Sequence, residues 1–236
     1  TFGWCFNQPI TNSLNNLTSL TRLTFGKRFN QPLDNSLNNL TSLTRLTFAF
    51  CFNQPLGNSL DNLTSLIHLT FGWCFNQPLG NSLDNLTSLT HLTFGTDFNQ
   101  PLTNSLDNLT SLTHLTLDYC FSQKDDLPLN VTSISLNCNN AYYTNYLPDS
   151  IEEIEFGHCF NLELNNLPSS IKKIAFDKNC YYYKELKCLP IGLEILQLPL
   201  GYNLSIQNIP SGLKKLICHK NYPFKTNFVS TEVQTY

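Results

Sequence analysis

The sequence contains little charge, and this shortage excludes some classes of function. Asp, Glu, Lys and Arg make up 13% of the 236 residues, about half the share in an ordinary globular domain. With 14 basic against 17 acidic residues, the net charge is −3 and the pI is near 5.9. A protein that grips phosphate backbones needs a basic surplus, so we expect no nucleic-acid partner.

Long apolar runs are also missing. No stretch approaches the roughly 18 apolar residues of a membrane-spanning helix, and the first residues lack the basic and apolar regions of a signal peptide. We therefore expect no membrane association. Methionine is absent even at position 1, which leads us to expect that the chain is a portion of a longer protein.

What the sequence does contain is a repeat. Phe-Asn-Gln-Pro recurs at a constant spacing, and an altered copy begins at Phe121. The five intact copies begin at Phe6, Phe29, Phe52, Phe75 and Phe98. So short a fixed period indicates a solenoid, in which each turn of chain, or rung, buries its apolar side chains against the next. The predicted core columns, kept in the next three copies, begin with Leu17, Leu20, Leu23, Phe25, Phe29, Leu33 and Leu37.

The spacing within a copy predicts the backbone of each rung. Leu23, Thr24 and Phe25 alternate between apolar and polar, which is typical of a short strand, and stacked copies would pair such strands in parallel. Leu14, Leu17 and Leu20 recur at every third position, which fits a 3₁₀ or irregular outer side better than an α-helix. The Asn of each Phe-Asn-Gln-Pro is expected to bond backbone groups that would otherwise be buried without partners.

The period shortens after residue 126. Leu-Pro or Ile-Pro pairs begin at Leu127, Leu147, Leu167, Leu189 and Ile209. We predict regular repeats of period 23 in 1–126, degenerate repeats of period 20 to 22 continuing the same solenoid in 127–219, and a polar C-terminal cap or tail in 220–236. One strand per repeat gives a partial strand near Phe2 and ten more, the last at 216–218.

The segment LTSLTRLTFGKRFNQPL at 17–33 resembles the leucine-rich repeat. More narrowly, it resembles the FNIP repeat, whose signature is a leucine-rich strand, then FG, then FN followed by Pro. The resemblance covers Thr1 to about Tyr222. In the second half Phe160-Asn161 is followed by Leu162, and Cys180-Tyr181 replaces Phe-Asn, so those copies look like degenerate members.

The resemblance implies a leucine-rich-repeat solenoid of the α/β horseshoe class, with one short parallel strand in each repeat and little α-helix. Similar proteins are those of social amoebae and giant DNA viruses, often with an F-box that connects to a ubiquitin ligase. No F-box is present in this sequence. A protein-interaction module is therefore implied, with substrate recognition for a ubiquitin-ligase adaptor in a longer parent protein.

An alternative function is an extracellular or surface adhesion module that binds protein or glycan, and a third is a purely architectural spacer. The tripeptide Asn-Leu-Thr, a formal glycosylation acceptor, occurs five times, but it follows from the repeat itself. We expect a cytoplasmic location, the host cytoplasm for a viral protein, rather than secretion. A signal peptide or an F-box upstream would decide between the first two functions.

Binding residues should differ between copies while the scaffold stays constant. One column that would face the concave strand side holds Arg22, Arg45, His68, His91 and His114. A second, more variable column holds Lys27, Phe50, Trp73, Thr96 and Tyr119. We predict Phe50 and Trp73 as anchors for a protein partner, because aromatic side chains supply large contact areas. The alternative is that they only cover the sheet edge.

The three histidines would stand about 4.8 Å apart on adjacent strands. Besides a plain surface ladder, which we favour, this spacing allows a shared metal ion or a partner affinity that depends on pH. We predict no metal and no cofactor. Further along, the acidic cluster of Glu152, Glu153 and Glu155 is opposite in sign to Lys172 and Lys173 of the next rung, which predicts an exposed ladder of opposite charges.

No pattern favours an enzyme, and we predict no catalytic residue. The sequence has no glycine-rich phosphate loop and no HExxH, and His68 and Cys74 could lie up to roughly 20 Å apart in extended chain. The nine cysteines lack paired ligand spacing, and we expect reduced thiols, although Cys51 and Cys74 could be bridged across adjacent rungs.

The chain begins within a repeat, because Thr1 corresponds to Thr24 of the next copy. Natural solenoids cap an end whose strand edge would otherwise stay unpaired. We therefore expect either more protein upstream or self-association through this uncapped N-terminal repeat.

Overall fold

The computed structural model describes residues 1–236 as two compact units, 1–130 and 131–236. The first unit contains β1 (Arg22–Thr24), β2 (Arg45–Thr47), β3 (His68–Thr70), β4 (His91–Thr93) and β5 (His114–Leu117). The second contains β6 (Ser133–Leu136), α1 (Ala141–Asn145), β7 (Glu153–Phe156), β8 (Lys173–Phe176), β9 (Ile195–Gln197), β10 (Lys215–Cys218), a 3₁₀ helix (Lys225–Asn227) and β11 (Glu232–Thr235). Within each unit, consecutive strands pair in parallel. The predicted one-strand-per-repeat solenoid is confirmed.

Each strand begins one residue earlier than the alternation of Leu, Thr and Phe predicts. Arg22 pairs with Arg45, Leu23 with Leu46 and Thr24 with Thr47. The alternation itself is confirmed, because Leu23 is buried while Arg22 is exposed and Thr24 is half-buried. The register matters for function, because it places the first residue of every strand on the face opposite the core.

The chain between strands forms successive tight turns. The amide of Leu40 donates to the carbonyl of Leu37, and that of Leu43 to the carbonyl of Leu40, at 3.0 and 2.9 Å. Bonds that span three residues are those of 3₁₀ geometry, which confirms the prediction of a 3₁₀ or irregular side. The longest helix, α1, has five residues, too few to cross a bilayer.

Two columns of phenylalanine fill the core of the first unit. Within a rung, the rings of Phe25 and Phe29 stack at 4.2 Å, and those of Phe48 and Phe52 at 4.1 Å. The predicted core columns are buried in the second to fourth copies. Leu17 and Leu20 of the first copy are the exceptions: Leu17 is 45% exposed and Leu20 is half-buried, because no rung of the chain covers their open side.

Asparagine side chains link the rungs along one edge. The Oδ1 of Asn53 accepts the backbone amide of Asn76 at 2.9 Å and the Nε2 amide of Gln77 at 3.0 Å. The same pair of bonds joins Asn30 to the next rung. The structural role predicted for these asparagines is confirmed, because each one satisfies donors that stacking would leave unpaired.

The two ends of the chain differ from the predicted strand count. Near Phe2 there is no strand, although its amide donates to the Thr24 carbonyl at 2.9 Å. Residues 220–236 carry an eleventh strand, β11, in which Glu232 pairs with Lys215 of β10. This strand was not predicted, because Glu-Val-Gln-Thr contains one apolar residue and no Leu-X-Leu alternation.

Candidate functional site

The exposed strand face of the first unit carries one continuous column of basic side chains. We call Arg22, Arg45, His68, His91 and His114 the basic row. Each is the first residue of its strand, and the parallel register places each beside its counterpart on the next strand. The following residue of every strand is a buried leucine, so the basic side chains point away from the core.

The three histidines of the basic row stack on one another. The ring centroids of His68 and His91 are 4.3 Å apart, and those of His91 and His114 are 4.1 Å apart. Arg45 lies next in the row, with Nη2 at 3.4 Å from Nε2 of His68. A guanidinium only donates hydrogen bonds, so this contact requires Nε2 of His68 to be unprotonated.

Threonine hydroxyls orient two of the imidazoles. Thr90 Oγ1 donates to the Ile67 carbonyl at 3.2 Å and lies 2.7 Å from Nδ1 of His91. Because its single proton goes to the carbonyl, the hydroxyl accepts from Nδ1–H of His91. Thr113 holds His114 in the same way. In the neutral rings the Nε2 atoms are therefore the acceptors.

Burial and positive neighbours favour the uncharged forms of His68 and His91. Burial lowers the pKa of His68, and the charges of Arg45, His114 and Arg22 lower it further. Burial also lowers the pKa of His91, with contributions from His114, His68 and Arg45. Every charged group acting on these two imidazoles is a cation, so protonating either one is unfavourable.

Stacked imidazoles do not make a metal site. No group of three or more His, Cys, Asp or Glu side chains is placed to hold a metal ion. The lone pairs of face-to-face rings run parallel instead of converging on one point, whereas zinc needs a tetrahedral set of ligands.

A second exposed column combines aromatic rings with a lysine. We call Trp4, Lys27, Phe50 and Trp73 the aromatic row. The Nζ of Lys27 lies 4.5 Å from the Trp4 ring centroid and 4.6 Å from that of Phe50, and the Phe50 and Trp73 rings are 5.3 Å apart. These are cation–π and aromatic contact distances. Trp4 and Trp73 remain 63% and 50% exposed.

Trp4 was not among the binding residues predicted from the sequence. Trp4 lies one full repeat before Lys27, so the 23-residue period of the sequence places it in the same column. At the other end the row is interrupted, because Thr96 donates to the Asp118 carboxylate at 3.2 Å and offers no ring. Tyr119, predicted in the same column, is 56% exposed and lies beyond this break.

The Cys74 thiol beside the aromatic row is a poor nucleophile. Cys51 and Cys74 carry free thiols, and burial raises the pKa of Cys74, as do the neighbouring Cys51 and Asp97. A raised pKa leaves little thiolate at neutral pH. Farther along the chain, burial raises the pKa of Cys180 to about 12.

In the second unit the same strand position carries opposite charges that pair. Lys173 binds Glu153 at 2.8 Å, and the preceding Lys172 binds Glu152 at 2.9 Å. These pairs confirm the predicted charge ladder. All four side chains are largely exposed, so solvent screening leaves each pair with little effect on stability.

One shallow depression lies in the second unit. Its lining includes Lys178, Tyr181, Tyr183 and Leu200, and its volume is about 230 Å³. This is smaller than the roughly 300–1,000 Å³ of typical ligand pockets. This depression was not among the sites predicted from the sequence.

Comparisons with known proteins identify the repeat and the fold. Residues 122–159 match the family model described as the FNIP repeat. This match confirms the resemblance to that repeat, and it extends into 127–219, where the repeats were predicted to be degenerate. No curated protein sequence matches the chain significantly.

Among solved structures, the chain is similar to CroV588, a circular leucine-rich-repeat protein from a giant virus. The identity is 33%, the TM-score is 0.64, and the match covers 93% of this chain and 36% of that one. The chain thus spans about a third of the length of CroV588.

Two further structures share the fold at lower identity. An internalin, InlF, from Listeria monocytogenes matches with 18% identity and a TM-score of 0.52, covering 94% of this chain and 76% of that one. The leucine-rich-repeat domain of APL1B matches with 14% identity and a TM-score of 0.53, covering 98% and 69%. These likenesses confirm the predicted fold class.

Proposed function

We propose that this chain, a leucine-rich-repeat solenoid that carries an FNIP repeat, is a non-enzymatic module that binds a protein partner on the exposed strand face of its first unit. The observation that carries the proposal is the aromatic row. Lys27 lies between Trp4 and Phe50, and Phe50 contacts Trp73. These mutual contacts hold large apolar surfaces in place before binding, which lowers the entropy cost of association.

The scaffold under the row supports this function. Leucine-rich-repeat folds are typical protein-interaction scaffolds. The core columns and the asparagine bonds repeat from rung to rung, whereas the side chains of the aromatic row change from Trp to Lys to Phe. A constant framework with variable exposed side chains suits recognition.

Two features support a module without catalytic activity. The fold is typical of non-enzymatic scaffolds. Cys74, next to the row, has a raised pKa. The charges acting on His68 are cationic, so no carboxylate orients that imidazole as a general base.

In a longer parent protein, the module would be the substrate-reading part of a ubiquitin-ligase adaptor in the cytoplasm, or in the host cytoplasm for a viral protein. The FNIP repeat supports this context. The adhesion alternative rests on the glycosylation acceptors, but the side-chain amides of Asn39 and Asn62 donate to carbonyls of the preceding rung at 3.2 Å. These bonds support a structural role.

Self-association through the first repeat would be a second mode of assembly. Leu17, 45% exposed, is the apolar side chain that this contact would cover. Light scattering of wild type and Leu17→Ser tests it: a concentration-dependent dimer that the substitution abolishes supports the contact, and a monomer at all concentrations contradicts it.

Affinity capture with paired variants tests the main proposal. Replacing Phe50 and Trp73 by Ser should abolish capture of the partner that the wild-type protein retains from a cell extract. The matched control replaces Ile191 and Val229 by Ser, which are 80% and 94% exposed but lie outside the row. A partner that survives the first pair of changes, or is lost equally with the second, would contradict binding at the aromatic row.

A further inference from the structure

The two units treat the same strand position in opposite ways. In the second unit, the first residues of β7 and β8 form the Glu153–Lys173 pair, and those of β10 and β11 bring Lys215 to 3.7 Å from Glu232. In the first unit, the equivalent Arg22 and Arg45 have no ion pair. One strand face therefore neutralises its own charge, and the other leaves its cations without anions.

The acidic residues of the first unit lie away from the basic row. The strand residue two positions after each basic one is a threonine. The aspartates lie either in the turns between strands, as Asp61 does, or after the strands, as Asp97 does. The charged groups that act on His68 and His91 are Arg22, Arg45 and the neighbouring imidazoles. A chain with net charge −3 thus carries a localised strip without a compensating anion.

We propose that the occupant of the basic row is an acidic, extended segment of the partner protein, whose carboxylates bind Arg22 and Arg45. This inference rests on the proposed function and names the chemistry of its partner. Arginine forms bidentate hydrogen bonds with carboxylates. The row spans five strands, or about 19 Å at roughly 4.8 Å per strand, which is the reach of about six extended residues.

The histidines make this binding depend on pH. At neutral pH the depressed pKa values leave His68 and His91 uncharged, and the two arginines provide the attraction. As the pH falls, the imidazoles take up protons, and carboxylates lying over them favour the charged form. Binding and protonation therefore reinforce each other, and affinity increases toward acidic pH.

Fluorescence anisotropy with a labelled hexaglutamate peptide tests the inference. The peptide should bind the full chain at low salt and pH 7.5, and about tenfold more tightly at pH 5.5, where glutamate is still ionised. A labelled hexalysine peptide should not bind. A labelled single-stranded DNA of six nucleotides distinguishes phosphate binding from carboxylate binding. Tighter binding of this DNA than of hexaglutamate would overturn the assignment to an acidic protein segment.

Matched charge reversals locate the site. Replacing Arg22 and Arg45 by Glu should weaken hexaglutamate binding at least tenfold. Replacing Lys172 and Lys214 by Glu makes the same charge change on exposed residues of the second unit and should leave binding within about twofold; circular dichroism confirms that both variants fold. Equal losses in the two variants would show that the peptide responds only to net charge, which overturns the proposal.

The contribution of the histidines is tested by the pH dependence of hexaglutamate affinity. Replacing His68, His91 and His114 by Gln should make the affinity for hexaglutamate the same at pH 5.5 and pH 7.5, because glutamine does not titrate in this range. An unchanged pH response in this variant would overturn the role of the row. If hexaglutamate fails to bind while capture of a partner still needs Phe50 and Trp73, the acidic-segment inference fails and the proposed function stands.

Discussion

The imidazoles of His68 and His91 lie face to face, with 4.3 Å between ring centroids and 21° between ring planes. The contact is favourable only while at least one ring is neutral, because two stacked imidazolium ions repel each other. Arg45 adds a positive charge at 3.4 Å from Nε2 of His68. This stack therefore couples the stability of the free module to its state of protonation.

Stability in the absence of partner should fall as the pH decreases from 7 to 5.5. The folded-state pKa values of His68 and His91 lie below the ordinary value of 6.5, so the folded state binds fewer protons than the unfolded state in this range. Their contribution is fully present above pH 6.5 and is lost as the pH falls through 6.5 toward the folded-state values. Urea unfolding at several pH values measures it.

The triple substitution of His68, His91 and His114 by Gln is the control for this prediction. Carboxylates titrate mainly below pH 5, so the variant should show a flatter dependence between pH 7 and 5.5. Identical pH profiles for wild type and variant would show that the histidine stack does not resist protonation.

Two separate substitutions, Asp34→Gly and Gly57→Asp, test backbone strain in the turns. Asp34 has φ of 45° and Gly57, one repeat later, has φ of 50°. In this left-handed region the Cβ of any residue other than glycine crowds the backbone. Asp34→Gly removes that steric strain and should raise the free energy of unfolding by about 0.5–1 kcal/mol. Chemical denaturation measures the change.

Gly57→Asp is the reverse change and should lower the free energy of unfolding by a similar amount. A Cβ at Gly57 meets no atom within 4 Å, so the cost is one of backbone conformation and not of collision. Destabilisation by both substitutions would argue that the Asp34 side chain contributes more than its backbone costs.

Tyr182→Phe should stabilise the second unit. The Tyr182 hydroxyl is buried without a hydrogen-bond partner, and the ring stacks with Phe160, which has no hydroxyl. Removing an unsatisfied polar group relieves a desolvation cost of about 1–3 kcal/mol. Differential scanning calorimetry should therefore record a higher Tm.

Tyr222→Phe serves as the matched control. Its hydroxyl donates to the Leu204 carbonyl at 2.9 Å, so its removal should cost about 1 kcal/mol. If Tyr182→Phe lowers Tm as much as Tyr222→Phe does, the Tyr182 hydroxyl has a partner in solution.

Asn53→Ala should destabilise the first unit by about 2 kcal/mol. The substitution removes the acceptor for the Asn76 amide and leaves this half-buried donor unpaired. Gln77 loses one bond to the Asn53 side chain but keeps its bond to the Asn53 backbone carbonyl at 3.2 Å. Asn58→Ala, at an exposed position in the same rung, should change stability by less than about 0.5 kcal/mol. Equal effects of the two substitutions, measured by urea unfolding, would contradict a specific role for the asparagine bonds.

The repeat was sufficient to predict the solenoid, its parallel strands and most of its core. Its constant period brings Leu23, Leu46 and Leu69 to the same place in consecutive rungs, and a period of two within each strand separates buried from exposed residues. Both are properties of backbone geometry, so they can be read from spacing alone. The same reasoning failed at β11, where the sequence carries no repeated apolar spacing.

The contacts between side chains required the folded structure. The sequence placed His68 and His91 in one column, but ring stacking, the tautomer imposed by Thr90 and the lowered pKa values depend on rotamers and burial. Likewise, Lys173 and Glu153 pair while Arg45 has no anion. Spacing determines which residues become neighbours, whereas rotamers and solvent exposure, set by packing across rungs, determine how those neighbours interact.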